Sequence, residues 1–204
     1  MLFRLGLILL GWLLPIAAAH PTDRLNQSAY ITLSPQKVSI ELDFSPGELV
    51  APQFVQEFGS NLGSLNPETI QKFSQTILEH VRFTVDNKQI ELKPDSSLNQ
   101  IPDLALLKAG RAQLQLVFTA DLPSLSGQHQ FVFENKYQPV KSGYGANVFV
   151  ESKDVQIIKQ ARDSSLQVFT VDFEIAQRSS FAVWWAAVAV GLIAGGVLLT
   201  RAAN

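Results

Sequence analysis

The sequence has no cysteine and only three histidines, and no run of Lys or Arg is longer than one residue. Without cysteine there are no disulfides, thiolate nucleophiles, zinc ribbons or iron–sulfur ligation, so a folded domain rests on its apolar core alone. Without a basic patch, nothing displaces counterions from phosphates, which excludes nucleic acid as a partner. The formal net charge is −2, and charged residues make up only 17% of the 204 positions, against about a quarter in ordinary soluble domains. There is no nucleophile elbow, phosphate loop, dinucleotide fingerprint or H-E-x-x-H pair. This excludes the common motif-bearing enzymes and favours a non-enzymatic role.

What the chain does have is apolar residues, 47% of the total, with runs at its two ends. Residues 1–19, MLFRLGLILLGWLLPIAAA, carry Arg4, a short apolar stretch and Ala17-Ala18-Ala19. This order predicts a signal peptide cut after Ala19, leaving His20 as the new amino terminus. Residues 181–200, FAVWWAAVAVGLIAGGVLLT, hold no charge. At about 1.5 Å per residue they reach about 30 Å as a helix, one membrane crossing. Trp184 and Trp185 suit an interfacial belt. Ala187, Gly191 and Gly195 form a small-residue face on which a second helix can pack. The expected order is signal peptide 1–19, extracytoplasmic domain 20–178, transmembrane helix 181–200 and cytoplasmic tail 201–204. That is a single-pass protein of the cell membrane with its main domain in the periplasm or outside the cell.

The middle reads as mainly β. Val38, Ile40, Leu42 and Phe44 alternate with Ser39, Glu41 and Asp43, the period-2 pattern of a half-buried strand. A preceding strand around Tyr30 and Thr32 is joined to it through Ser34-Pro35-Gln36-Lys37. Asn66-Pro67-Glu68 signals a helix start, with Ile70, Phe73, Ile77 and Leu78 on one face. A short helix is expected near 51–58 and another over 101–108. Later strands are expected at Val81–Val85, Ile90–Leu92, Leu114–Phe118, Phe131–Phe133, Val148–Val150, Val155–Ile157 and Val168–Phe173, with Gly110, Gly127, Gly143 and Gly145 in turns. Closely spaced strands without intervening helices predict an antiparallel, Ig-like β-sandwich with one or two inserted helices, an α+β variant of a mainly β fold.

Few residues suggest chemistry. An amino-terminal His20 presents an α-amine and a ring nitrogen, a chelate for Ni(II), Co(II) or Cu(II) when a second imidazole joins it. His129 or His80 is placed to be that imidazole; His80 also suits a helix C-terminus, and His20 also reads as a solvent-exposed terminus. Aligning Gly63 with the loop glycine of a calcium site leaves Phe58, Leu62 and Thr69 where ligands belong, which argues against calcium. Glu41 and Asp43 share a strand face and read as an ordinary wet surface.

The order of several short motifs adds to this reading. Ala19-His20-Pro21 is followed by Ser28-Ala29-Tyr30-Ile31, by Val38 to Gly47, and by Val50-Ala51-Pro52. Phe83 to Asp86, Gly127-Gln128-His129, Phe133 to Pro139, Arg162-Asp163 and Val171-Asp172-Phe173 come after. Over residues 19–175 the chain resembles the exported N-terminal domain that precedes bacterial nickel/cobalt transporter and HupE/UreJ-like membrane domains. The multi-span part is not in this sequence, and the calcium-like loop of some relatives is lost over 58–69. The resemblance implies an accessory module beside a membrane metal transporter, with His20 and His129 as metal ligands. Three functions follow as expectations: an anchored accessory module for an integral membrane partner, a metal-dependent enzyme or carrier built on His20, and a structural scaffold for protein interaction.

Overall fold

The computed structural model describes residues 23–59 and 64–176. The signal peptide expected over 1–19, His20, the apolar run 181–200 and its Ala187, Gly191 and Gly195 lie outside these residues. Among the described residues, no helix is long and apolar enough to cross a membrane.

The described chain is mainly β, with two five-stranded sheets and three short helices. Strands β1 (Leu25–Leu33), β2 (Lys37–Pro46), β5 (Lys93–Pro94), β6 (Leu114–Asp121) and β8 (Ser142–Val150) form sheet 1, in the order β5-β6-β2-β1-β8. Strands β3 (Val81–Val85), β4 (Lys88–Gln89), β7 (Gly127–Asn135), β9 (Val155–Arg162) and β10 (Val168–Ile175) form sheet 2, in the order β4-β3-β7-β10-β9. Period-2 patterning puts one apolar row of each sheet inside. Leu25, Ala29, Ile31 and Leu33 of β1 meet Phe131, Phe133, Phe169, Val171 and Phe173 in a single buried cluster. The result is the expected two-layer sandwich.

Helix α1 (Ala51–Gln56) and helix α2 (Pro67–His80) sit where the sequence pattern predicts them. The Asn66 side chain accepts from the Thr69 N–H at 2.9 Å, the expected cap. Phe73 of α2 packs edge-on to Phe44 of β2 at 5.7 Å between ring centroids, and Phe54 of α1 stacks on the same ring at 6.0 Å. The apolar face of each helix thus closes one end of the sandwich. Helix α3 (Leu104–Lys108) is shorter than the expected 101–108. Asp103 caps it, accepting from the Ala105 and Leu106 N–H groups at 2.8 and 3.0 Å, so residues 101–102 remain outside. Gly110 follows with φ 67°, and a Cβ there would meet the Glu48 nitrogen at 2.7 Å. Only glycine meets both demands.

The strand expected at Ile90–Leu92 gives way to two short ones on either side of it, at 88–89 and 93–94. Three further expectations change. First, the strand expected around Tyr30 and Thr32 extends back to Leu25, and Gln27, polar in the sequence, is buried in it. Second, β8 runs parallel to β1, with Leu25 opposite Ser142 and Leu33 opposite Val150; the other strand pairs are antiparallel. Residues 136–141 carry the chain from β7 in sheet 2 across to the end of sheet 1 where β1 starts, so β8 leaves in the direction of β1. Third, Gly143 and Gly145 lie inside β8 rather than in turns. The Arg24 side chain and the Asn26 side-chain oxygen would each stand 3.3 Å from a Cβ at Gly143, so the glycine admits its neighbours. The turn Asp86-Asn87 is tight. Both residues have positive φ, 48° and 64°, and Lys88 already pairs with Val85, as in a two-residue hairpin.

The four edge strands differ. β4 and β5 have two residues each, and they carry Lys88, Lys93 and Pro94. β9 is irregular: its register against β10 shifts at Asp172/Phe173, which leaves Ile158 without a partner. It also carries Lys159. Short length, charge, proline and bulges all discourage a further strand from adding. β8 is nine residues long and regular, and its sequence SGYGANVFV has neither charge nor proline.

Candidate functional site

Three polar constellations stand out among the described residues. The first is at one end of sheet 2. His129, on β7, turns Nδ1 toward Asp86 Oδ2 at 2.7 Å and Nε2 toward the Ser126 carbonyl at 3.2 Å. The tight Asp86-Asn87 turn places the carboxylate, and its second oxygen accepts from the Gln130 N–H at 3.0 Å. This N–H and the His129 ring hold the Asp86 carboxyl below the usual carboxylate range. Both nitrogens of His129 therefore face an acceptor, and a metal ion on either would displace that contact. Among the described residues, no group of three or more His, Cys, Asp or Glu is placed to hold a metal ion. His80, the other candidate imidazole, is exposed at the end of α2, with its ring 5.7 Å from that of Tyr137. The structure does not bring the two described histidines into one constellation, and His20 lies outside the described residues.

The second constellation is on the outer face of sheet 1. Asp43 is buried there, which differs from the wet strand face the alternation suggested. Gln115 lies opposite in the β2–β6 ladder and donates to Asp43 Oδ1 at 3.2 Å. Gln113 reaches Oδ2 at 3.5 Å. Burial raises the Asp43 carboxyl above its ordinary range, and Gln115 offsets this in part. Glu41 is raised too, first by burial and then by the charge of Asp43.

The sign of the pH effect follows from this. Burial favours the protonated acid in the folded state, so Asp43 adds stability at low pH, and this is lost as the pH rises through the raised pKa. Asp43→Asn keeps the shape without the charge. The variant is expected to melt above the parent at about pH 7, with the gap closing toward about pH 3. Thermal melts of both proteins across that range check it; a gap that is constant with pH contradicts it.

The third constellation joins the two sheets. Gln27 of β1 donates to the Tyr137 carbonyl at 2.8 Å and to Ser142 Oγ at 3.1 Å. It accepts from Asn135 Nδ2 at 2.9 Å, while Asn135 Oδ1 accepts from the Tyr137 N–H at 3.0 Å. The Tyr144 hydroxyl also donates to the Tyr137 carbonyl, at 3.0 Å. The crossover to β8 is thus tied down by side chains of β1 and β7. Tyr137 itself is buried against Phe44 and Phe73. Burial, with the charge of Glu57, pushes its phenol up, so it remains a neutral hydroxyl.

A cleft of about 870 Å³ lies between α1 and the start of α3, with Pro52, Val55, Leu65, Ile101, Pro102 and Leu104 on its walls. Asp103 is also there, but its carboxylate is engaged in capping α3.

His129 and the Glu41/Asp43 face stand out in the sequence by residue type and alternation. Gln27, Asn135 and the burial of Asp43 do not, since a lone Gln, Asn or Asp in a strand pattern carries no mark of burial. No family model matches the chain, and no curated protein matches it. Among solved structures there is a likeness to Legionella pneumophila aminopeptidase A in complex with aspartic acid. It has 9% identity and a TM-score of 0.20, and it covers 76% of this chain and 19% of that one. A likeness at that level carries no argument about fold or activity.

Proposed function

We propose that the protein is a non-enzymatic extracytoplasmic module, anchored in the cell membrane, that serves an integral membrane partner. Its sandwich is read as an Ig-like scaffold. The observation that supports this reading is how the domain meets the apolar run. β10 continues to Ile175, and the Ala176 N–H donates to the Asp154 carbonyl at 2.8 Å. Only residues 177–180 separate that bond from the run beginning at Phe181, a reach of about 14 Å when fully extended. A helix over 181–200 would therefore hold the Ser152–Asp154 turn and the adjoining loops close to the bilayer. The face made by Ala187, Gly191 and Gly195 would be the contact for a partner helix. Nickel or cobalt handling belongs to this reading through the resemblance, with His20 and His129 as the residues to test.

Removing residues 177–204 is expected to move the protein from the membrane fraction to the soluble one. Gly191→Leu with Gly195→Leu is expected to keep it in the membrane while a partner retained in mild detergent is lost. A full chain that stays soluble overturns the anchor, and an undiminished partner overturns the helix face.

A further inference from the structure

Among the described residues no strand pairs with the outer edge of β8, and this edge carries an inference that deepens the proposed function by naming the chemistry of a partner. At one end of the β1–β8 ladder, the Leu25 N–H donates to the Lys141 carbonyl at 2.8 Å. At the other, the Glu151 N–H donates to the Leu33 carbonyl at 2.9 Å. In a parallel ladder of this register, the odd-numbered residues from Lys141 to Glu151 spend their backbone groups on β1. The even-numbered residues Ser142, Tyr144, Ala146, Val148 and Val150 turn N–H and C=O outward. Arg162 confirms that direction, because its guanidinium donates to the Ala146 carbonyl from the β9 side.

Two further features mark this edge. Phe149 and Val150 are 52% and 45% exposed, an apolar end that a neighbouring strand would cover. Arg162 supplies the charge. Its guanidinium lies 4.8 Å from the centre of the Phe169 ring, which holds it in place. None of the ion pairs among the described residues involves it. A guanidinium has five N–H donors in a fixed fork that suits a carboxylate better than a single carbonyl, so it can exchange the Ala146 contact for one. A second copy of β8 is a poorer occupant. Antiparallel pairing about Ala146, the middle residue of the strand, would bring two Arg162 side chains together at the axis.

We propose that the β8 edge docks an extended, acidic polypeptide segment, which adds to sheet 1 as a sixth strand: its backbone N–H takes over the Ala146 carbonyl as the Arg162 guanidinium turns to a carboxylate of the segment. Main-chain hydrogen bonds give the affinity and Arg162 gives the preference for acid, as in other strand-addition complexes. This inference rests on the proposed function only for where the segment comes from, a partner at the membrane.

The test uses the full chain in detergent micelles and a labelled peptide, Thr-Val-Glu-Val-Thr-Val-Glu-Val-Thr, with a counterpart carrying Lys for each Glu. The acidic peptide is expected to bind and to slow hydrogen exchange at residues 142–150. Arg162→Glu is expected to weaken it at least tenfold and to strengthen the Lys peptide. Val148→Pro removes an N–H that β1 does not use, and it is expected to abolish binding of both peptides. Should that variant fail to fold, the exchange of preference at Arg162 still decides. Equal binding of the two peptides, or no protection of β8, overturns the proposal. Dimerisation that protects β8 also overturns it, because the occupant would then be a second copy. Loss of the membrane anchor would appear in fractionation and leave peptide binding unchanged, so the two readings fail separately.

Discussion

Phe44→Ala is expected to lower the unfolding free energy by about 3–5 kcal/mol, the upper range for truncating a single core side chain. Phe44 is fully buried. Its ring meets Phe54 of α1 and Phe73 of α2 at 6.0 and 5.7 Å, and Tyr137 of the crossover at 6.0 Å. Truncation would leave a void bounded by three separate segments, none of which can close it alone. Lost burial and the unfilled cavity therefore add, and the edge-to-face contacts are worth somewhat more. Without disulfides to constrain the unfolded chain, a loss of this size is a large share of the total stability of a typical domain. Chemical denaturation of the two proteins measures it. A loss below about 1 kcal/mol would mean that the helices do not depend on this ring.

The second large effect is expected at Gln27. Gln27→Leu keeps the volume but leaves the buried Asn135 amide without its acceptor. An unsatisfied buried donor costs about 1–3 kcal/mol. The Tyr137 carbonyl retains Tyr144, and Ser142 Oγ retains the Val140 carbonyl at 2.9 Å, so the loss centres on Asn135. Combining Gln27→Leu with Asn135→Leu is expected to cost less than the sum of the two single changes, because the second removes the orphan left by the first. Strict additivity in denaturant unfolding would show that the two side chains do not act as a unit.

Both residues bear on what can be read from a sequence. Phe44 was legible, since strict alternation from Val38 onward puts it on the inner face. The same is true of α2, where Asn66, Pro67 and the Ile70/Phe73/Ile77 spacing each point to a helix. These signals are local, and local periodicity is what a single sequence records. Gln27 was not legible: its burial depends on Asn135 and Tyr137, more than a hundred residues away. The direction of β8 was hidden for a related reason. A strand pattern reads the same in a parallel and an antiparallel ladder, and only the crossover at 136–141 decides. Gly143 and Gly145 pointed the wrong way, because glycine marks turns more often than strands whose neighbours approach closely.

The candidate chemistry divides in the same manner. His129 could be picked out by its residue type, but its two acceptors could not. Asp86 reaches it through a turn on another strand, and Ser126 only through its carbonyl. Asp43 was visible as an acid in a strand and was assigned to solvent, whereas Gln113 and Gln115 from β6 and its approach cover it. The edge that Arg162 borders depends on strand order, which no local pattern contains.

The absence of cysteine makes the central claim directly testable, because single cysteines can be introduced without background. Ser124→Cys lies in the exposed β6–β7 loop, and Asn204→Cys lies at the other side of the apolar run. Full-length protein carrying each in turn would be treated in intact cells, with the outer envelope made permeable, using a maleimide that does not cross the cytoplasmic membrane. An anchored extracytoplasmic module predicts that Cys at 124 reacts at once and Cys at 204 reacts only after lysis. Protection of both sites until lysis, or reaction at 204 alone, would contradict it.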